Sequence, residues 1–261
     1  IGNVDGRPGN EVVVVSVREK TLGVCRMQDG RLSFPEAVST RGAPLACELV
    51  DVDHNGQPEI VYVAKARKGG GHLVAMLQPG PEGKLVPRMM GKQEQVDLKL
   101  KGEPRYLLSL DANRDGHPDL LVFQDLEQAP VLLAGTKDGS LQPVTTKGGI
   151  QLGDVGPGRL FTGDLAAPSI LVAQEKFARN LKLTAEGSWQ VLDQYNATES
   201  NAKIVGVAAL ELDAAPGKEI VLVDSGVRRL KLMRRQGEGK LFQPWREVEL
   251  GTLNYRASRI A

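Results

Sequence analysis

The sequence predicts an all-β protein, a β-propeller of four-stranded antiparallel blades made from five repeats of about 52 residues, on three observations. An acidic segment recurs along the chain, a glycine marker recurs in phase with it, and the stretches between them are apolar runs of strand length. The acidic segment is clearest at Asp51-Val-Asp53-His-Asn55-Gly56-Gln-Pro-Glu59 and Asp111-Ala-Asn113-Arg-Asp115-Gly116-His-Pro-Asp119, each followed at once by an apolar run. Weaker copies occupy 3–11, with Asn3, Asp5 and Glu11, and 211–219, with Glu211, Asp213 and Glu219. A fifth, at 161–169, keeps only Asp164 and has Ser169 at its ninth position. The second marker, Gly-x-Leu or Gly-x-Trp, starts at Gly30, Gly83, Gly139, Gly187 and Gly239, at spacings of 53, 56, 48 and 52 residues.

The runs between these markers read as strands. They hold five to seven residues rich in Val, Leu and Ile, bounded by Gly, Pro, Asp or Asn. The second repeat offers Leu45–Val50, Glu59–Ala64, His72–Leu77 and Leu85–Met90; the third offers Arg105–Leu110, Asp119–Gln124, Pro130–Ala134 and Leu141–Thr146. Leucine-rich repeats are shorter, at about 20–29 residues, and helical repeats need a 3.6-residue periodicity that is missing here. Stacked blades bury both faces of each sheet, which accounts for the unbroken apolar run Val12–Val15.

The whole of 1–261 therefore reads as a single propeller domain. It starts inside an acidic loop, and Tyr255–Ala261 stands where a first strand would precede another. That offset favours a closed five-blade ring, with the last strand completing the first blade. Part of a larger propeller is the alternative, since seven blades would need roughly 360 residues at this repeat length.

Composition narrows the function. At 41% hydrophobic and 25% charged residues the chain can build a core, which excludes wholesale disorder. Lys and Arg number 33 against 32 Asp and Glu, so no nucleic-acid partner is expected. No apolar stretch approaches 18 residues, so no membrane insertion is expected either. Cys25 and Cys47 are expected to be free thiols, with one disulfide as the alternative.

The acidic loops point to calcium. In the segment 51–59, Asp51, Asp53, Asn55 and Glu59 supply side-chain oxygens, Gly56 permits a sharp bend and Gln57 can lend its backbone carbonyl. Asp111, Asn113, Asp115 and Asp119, with the carbonyl of His117, repeat that set. An EF-hand starts alike but needs Glu at its twelfth position, where this chain has Tyr62 and Val122. The weaker candidates are Glu211, Asp213 and Glu219, where Ala215 replaces the fifth-position ligand, and Asn3, Asp5 and Glu11, where Arg7 brings a competing cation. The fifth loop is expected to stay empty. Polar turn chemistry without a metal is the competing explanation for all of them.

The pattern Asp-x-[Asp/Asn]-x-[Asp/Asn]-Gly-x-x-[Asp/Glu] before an apolar strand resembles the FG-GAP/VCBS repeats of integrin-α-type β-propellers. The resemblance implies that each acidic loop joins the first and second strands of a blade and holds calcium. It also implies an extracellular, periplasmic or cell-surface setting and a role in adhesion, ligand binding or scaffolding.

Little else suggests chemistry. No GxSxG or HExxH occurs, and His54, His72 and His117 read as exposed turn residues. The basic run Arg228–Arg235 reads as a solvated outer strand, a polyanion contact being the alternative. The expectation is thus a non-enzymatic calcium-binding module with a protein or glycan ligand. A polysaccharide-acting hydrolase or lyase, or a carbohydrate-binding lectin, is the alternative. A hydrolase would need carboxylates on the inner strands, where Leu45–Val50 offers only Glu48, and a lectin would need more than 4% aromatic residues.

Overall fold

The computed structural model describes residues 1–251 apart from 68, 126–127, 146–149, 151, 153–154, 156–159, 162–168, 185–187, 215–216, 236 and 238–241. The described residues are all-β, and the chain divides into two compact units, Ile1–Thr145 and Thr146–Ala261.

Among the described residues the first unit holds three sheets of three or more strands and a separate two-stranded hairpin. In the first, β1 (Val12–Ser16) pairs with β2 (Thr21–Cys25), a small hairpin of β3 (Met27–Gln28) and β4 (Arg31–Leu32) follows, and β5 (Glu36–Val38) returns to β2. The second sheet runs β6 (Ala43–Val50), β7 (Glu59–Lys65) and β8 (His72–Pro79). Its fourth strand is split, a difference from the expected Leu85–Met90: β9 (Leu85–Pro87) pairs with one end of β8 and β10 (Gln95–Leu98) with the other. Pro87 lacks an N–H for the ladder, and a tight Met90–Gln93 bridge breaks the strand before β10 resumes it. The third sheet has the expected order, β11 (Pro104–Leu110), β12 (Asp119–Gln124), β13 (Val131–Gly135) and β14 (Leu141–Val144).

The second unit holds two four-stranded antiparallel sheets. One is β15 (Leu160–Phe161), β16 (Ile170–Gln174), β17 (Phe177–Leu183) and β18 (Trp189–Asn196); the other is β19 (Ile204–Leu210), β20 (Glu219–Asp224), β21 (Arg229–Arg235) and β22 (Phe242–Glu249). The acidic segment 161–169 lies almost wholly outside the described residues, as do Gly187, Ala215, Gly239 and the closing segment Tyr255–Ala261.

Alternation along the central strands explains the cores. Ile60, Tyr62 and Ala64 of β7 pack against Leu22 and Val24 of the first sheet, while Val61 and Val63 face Leu107, Val122 and Leu133 of the third. One strand thereby serves two cores, so its whole run must be apolar. In the second unit, Leu171, Ala178 and Tyr195 meet Ile204, Ile220 and Phe242 between its two sheets. Cys25 and Cys47 are both free, and burial pushes the Cys47 thiol up to about 11.

Gly135 is among the glycines dictated by closeness. A Cβ at Gly135 would lie 2.2 Å from the carbonyl oxygen of Pro118, and the Gly135 N–H donates to Asp119 Oδ1 at 2.8 Å. Gly135→Ala is expected to destabilise the first unit by about 1–3 kcal/mol, the usual penalty of overpacking. An unchanged urea midpoint would show that the backbone has room to give.

Candidate functional site: the acidic loops and the cleft between two of them

Four acidic loops are described, and they share one skeleton. Each is closed by the same strand register: Gly2 opposite Glu11, Val50 opposite Glu59, Leu110 opposite Asp119 and Leu210 opposite Glu219. The ninth-position carboxylate turns back and accepts the N–H of the second residue: Val4 from Glu11 at 2.9 Å, Val52 from Glu59 at 3.1 Å, Ala112 from Asp119 at 2.9 Å and Leu212 from Glu219 at 3.0 Å, naming the donor first. All four carboxylates are buried. Burial pushes the Glu59 carboxyl up against the pull of Val52 N–H and Arg88, and pushes Asp119 up against three backbone donors.

First and fifth positions finish the turn. Asp51 accepts the N–H of Asn55 at 3.0 Å and of Gly56 at 2.8 Å, and Asp111 accepts those of Asp115 at 3.1 Å and Gly116 at 3.0 Å. Asn55 and Asp115 in turn accept the N–H of Gln57 and His117. Gly56 and Gly116 adopt φ of 84° and 83°, where a side chain would be strained. His54 and Arg114 hold left-handed conformations as well, at 58° and 64°.

The expected calcium ligands divide into two groups. Asp51, Asp53 and Glu59 bring ligand oxygens within 4.8 Å of one another, a hard-donor set of the kind calcium takes. Among these oxygens, however, stands Arg88: its Nη1 lies 2.8 Å from Asp53, 3.2 Å from Glu59 and 3.3 Å from Gln78 Oε1. A second cation does not fit there while the guanidinium stays. In loop 3–11, Arg26 Nε binds Asp5 at 2.9 Å. Burial raises the Asp5 carboxyl, but the Arg26 hydrogen bond, the Arg7 N–H and the charges of both arginines together leave the group below its ordinary value. Arg7, the expected competitor, instead sends its guanidinium to the Glu82 carbonyl, while Asn3 accepts the Gly6 N–H. In loop 211–219, Arg234 binds Asp213 and Glu219, and Glu211 stays exposed. In loop 111–119, no described Lys or Arg forms an ion pair with Asp111, Asp115 or Asp119, and Asn113 hydrogen-bonds Asp115. Its oxygen donors are of the kind calcium takes, but among the described residues only Asp51, Asp53 and Glu59 bring three such oxygens within 4.8 Å of one another.

Between loops 51–59 and 111–119 lies a cleft of about 350 Å³, at the ends of β6 and β11. Asp51, His54, Ser109, Asp111 and His117 line it. The imidazoles of His54 and His117 stand 5.9 Å apart between ring centres, and His54 Nε2 lies 2.8 Å from the Gly116 carbonyl oxygen. A carbonyl only accepts, so Nε2 carries the proton, and a neutral His54 presents Nδ1 as a base. In the sequence both histidines look like turn residues, because the contact of His54 joins positions 62 residues apart.

Two other expectations are corrected. His72 is mostly buried, with Nε2 3.4 Å from Glu103. The basic run is no solvated outer strand: β21 lies between β20 and β22, and Arg229, Lys231, Arg234 and Arg235 all pair with carboxylates. The Lys231 pair holds the Glu199 carboxyl down to about 2.

Comparison with solved structures shows the fold. A protein from Lactobacillus plantarum superposes with a TM-score of 0.56 at 12% identity, over 98% of this chain and 67% of that one. The periplasmic gluconolactonase of Pseudomonas aeruginosa gives 0.58 at 14% identity, over 92% and 67%. Both likenesses are of fold, and the fold is of the propeller type. An NADPH dehydrogenase from Listeria welshimeri is 34% identical over 99 residues, a match spanning 38% of this chain and only 28% of that relative. No family model matches the chain. The expectation of a non-enzymatic module is overturned by these findings, because two of the proteins it is similar to are enzymes. Among the described residues no helix is long and apolar enough to cross a membrane.

Glu48 gives a pH test. Burial on β6 pushes its carboxyl from the ordinary 4.5 to about 7. A raised carboxyl binds its proton more tightly in the folded chain, so its stability contribution is full below about 4.5 and lost as pH rises to about 7. Glu48→Gln should remove that decline from melting curves taken across this window. Parallel pH profiles for the two proteins would refute the assignment.

Proposed function

We propose that this chain forms a propeller-type hydrolase scaffold acting on a sugar-derived substrate, and that the cleft between loops 51–59 and 111–119 is where the chemistry occurs. The observation that carries the reading is the pair of imidazoles at the cleft, with Asp51 and Asp111 beside them. Its volume of about 350 Å³ suits a small ligand or one sugar unit of a polymer, since ligand sites usually span about 300–1,000 Å³. Likeness in fold to a periplasmic gluconolactonase supports the hydrolytic class and a setting outside the cytoplasm.

The mechanism follows from the donors. His54, its Nε2–H directed at Gly116, offers Nδ1 to take a proton from an attacking water. His117 faces it and can return a proton to the leaving oxygen. Asp51 and Asp111, each fixed by two backbone N–H groups, line the cleft beside the imidazoles. Calcium, in this reading, belongs to loop 111–119, where Asp111, Asn113, Asp115, the His117 carbonyl and Asp119 would hold it. When bound it would fix the backbone that carries His117. A ligand at a hundredfold excess over its Kd stabilises by about 2.7 kcal/mol, so melting temperature should fall on adding EDTA and recover with calcium.

The purified protein should be tested on sugar lactones and polymeric sugars. His54→Ala and His117→Ala are each expected to reduce kcat/KM by about a hundredfold or more, with little change in melting temperature. Undiminished turnover in the double variant would sink the assignment of the cleft; absence of turnover on every substrate would sink the hydrolase.

A further inference from the structure

The described acidic loops differ at their third position, and the difference has a partner elsewhere. Three loops carry a third-position aspartate, Asp5, Asp53 or Asp213, and in each an arginine from outside the loop binds it: Arg26, Arg88 or Arg234. The fourth carries Asn113, and no described arginine binds it; its hydrogen bond goes to Asp115. There the ninth-position Asp119 takes the Gly135 N–H instead of a guanidinium.

The arginines come from different places in their own sheets: Arg26 follows β2, Arg88 follows β9, which pairs with β8, and Arg234 lies within β21. They meet oxygens that burial would otherwise leave uncompensated: the side chains of Asp5, Glu59 and Glu219 are 0%, 2% and 2% exposed. Buried carboxylates require a paired cation or a metal. Arg88 is itself only 12% exposed, and one of its nitrogens sits among three oxygens, as a metal would.

We infer that Arg26, Arg88 and Arg234 are resident cations that take the place of a divalent metal in loops 3–11, 51–59 and 211–219, so these loops fold without one. A change from Asp to Asn at the third position removes one negative charge, and with it the need for the arginine. The resemblance of the sequence to metal-binding loops then overstates the number of metals this chain can take.

Calcium titration by calorimetry tests this on three proteins: the wild type, Asp53→Asn and Arg88→Met. The wild type and Asp53→Asn should take up the same number of calcium ions, because loop 51–59 holds none. Arg88→Met should gain one site. A wild type that loses one calcium on Asp53→Asn would overturn the inference, as would a folded Arg88→Met that gains none. Should Arg88→Met unfold in EDTA, refolding in millimolar calcium supports the inference; if it folds in neither, the comparison of wild type with Asp53→Asn still decides.

Discussion

The buried carboxylate at the ninth position of each acidic loop is the constraint on which the rest depends. It ends the first strand-to-strand connection by accepting a backbone N–H seven residues earlier, a bond made alike by Glu11, Glu59, Asp119 and Glu219. A hydrogen bond to an ionised acceptor contributes more than a neutral one, and a buried acceptor left without its donor costs about 1–3 kcal/mol. The loop is therefore held in one shape, and that shape sets His54 against Gly116 and His117 at the cleft. Whatever chemistry the cleft performs is built on a staple that takes no part in it.

Once the carboxylate is buried, its charge has to be answered. The molecule uses two answers. Glu59 and Glu219 reach far enough to share an arginine with the third-position aspartate, whereas the shorter Asp119 takes a third backbone N–H, from Gly135, where a side chain would meet the Pro118 carbonyl. In loop 3–11, by contrast, the arginine, Arg26, binds Asp5 rather than Glu11. The same acidic signature in the sequence covers both arrangements.

Much of the fold was legible because its signals are local. Asp119–Gln124 coincides with β12, and the expected Leu45–Val50 and His72–Leu77 extend by only two residues in β6 and β8. A turn residue, an apolar run and a glycine marker within ten residues suffice for such assignments. What escaped were the partners distant in sequence. Arg88 lies 35 residues from Asp53, Arg26 lies 21 from Asp5, and nothing local marks either as a loop cation. Asp and Asn at the third position were equivalent as oxygen donors, so the charge difference between them carried no meaning until the arginines were in place. The cleft was likewise invisible, since its two imidazoles come from separate repeats.

The strand β7 gives the carboxylate a further significance. In a sheet with one wet face, a one-residue slip would push apolar side chains into water, and that penalty fixes the pairing. Residues 60–64 have no wet face: Ile60 and Tyr62 are as buried on one side as Val61 and Val63 on the other. Sliding the strand by one position would merely exchange two oily surfaces, with small differences in volume. Hydrophobicity makes β7 a strand without saying which residue of β6 it should meet. Glu59 supplies that information, because only one alignment places its carboxylate at the N–H of Val52 and its backbone opposite Val50. In this architecture the polar loop is the ruler, and the apolar strands are measured against it.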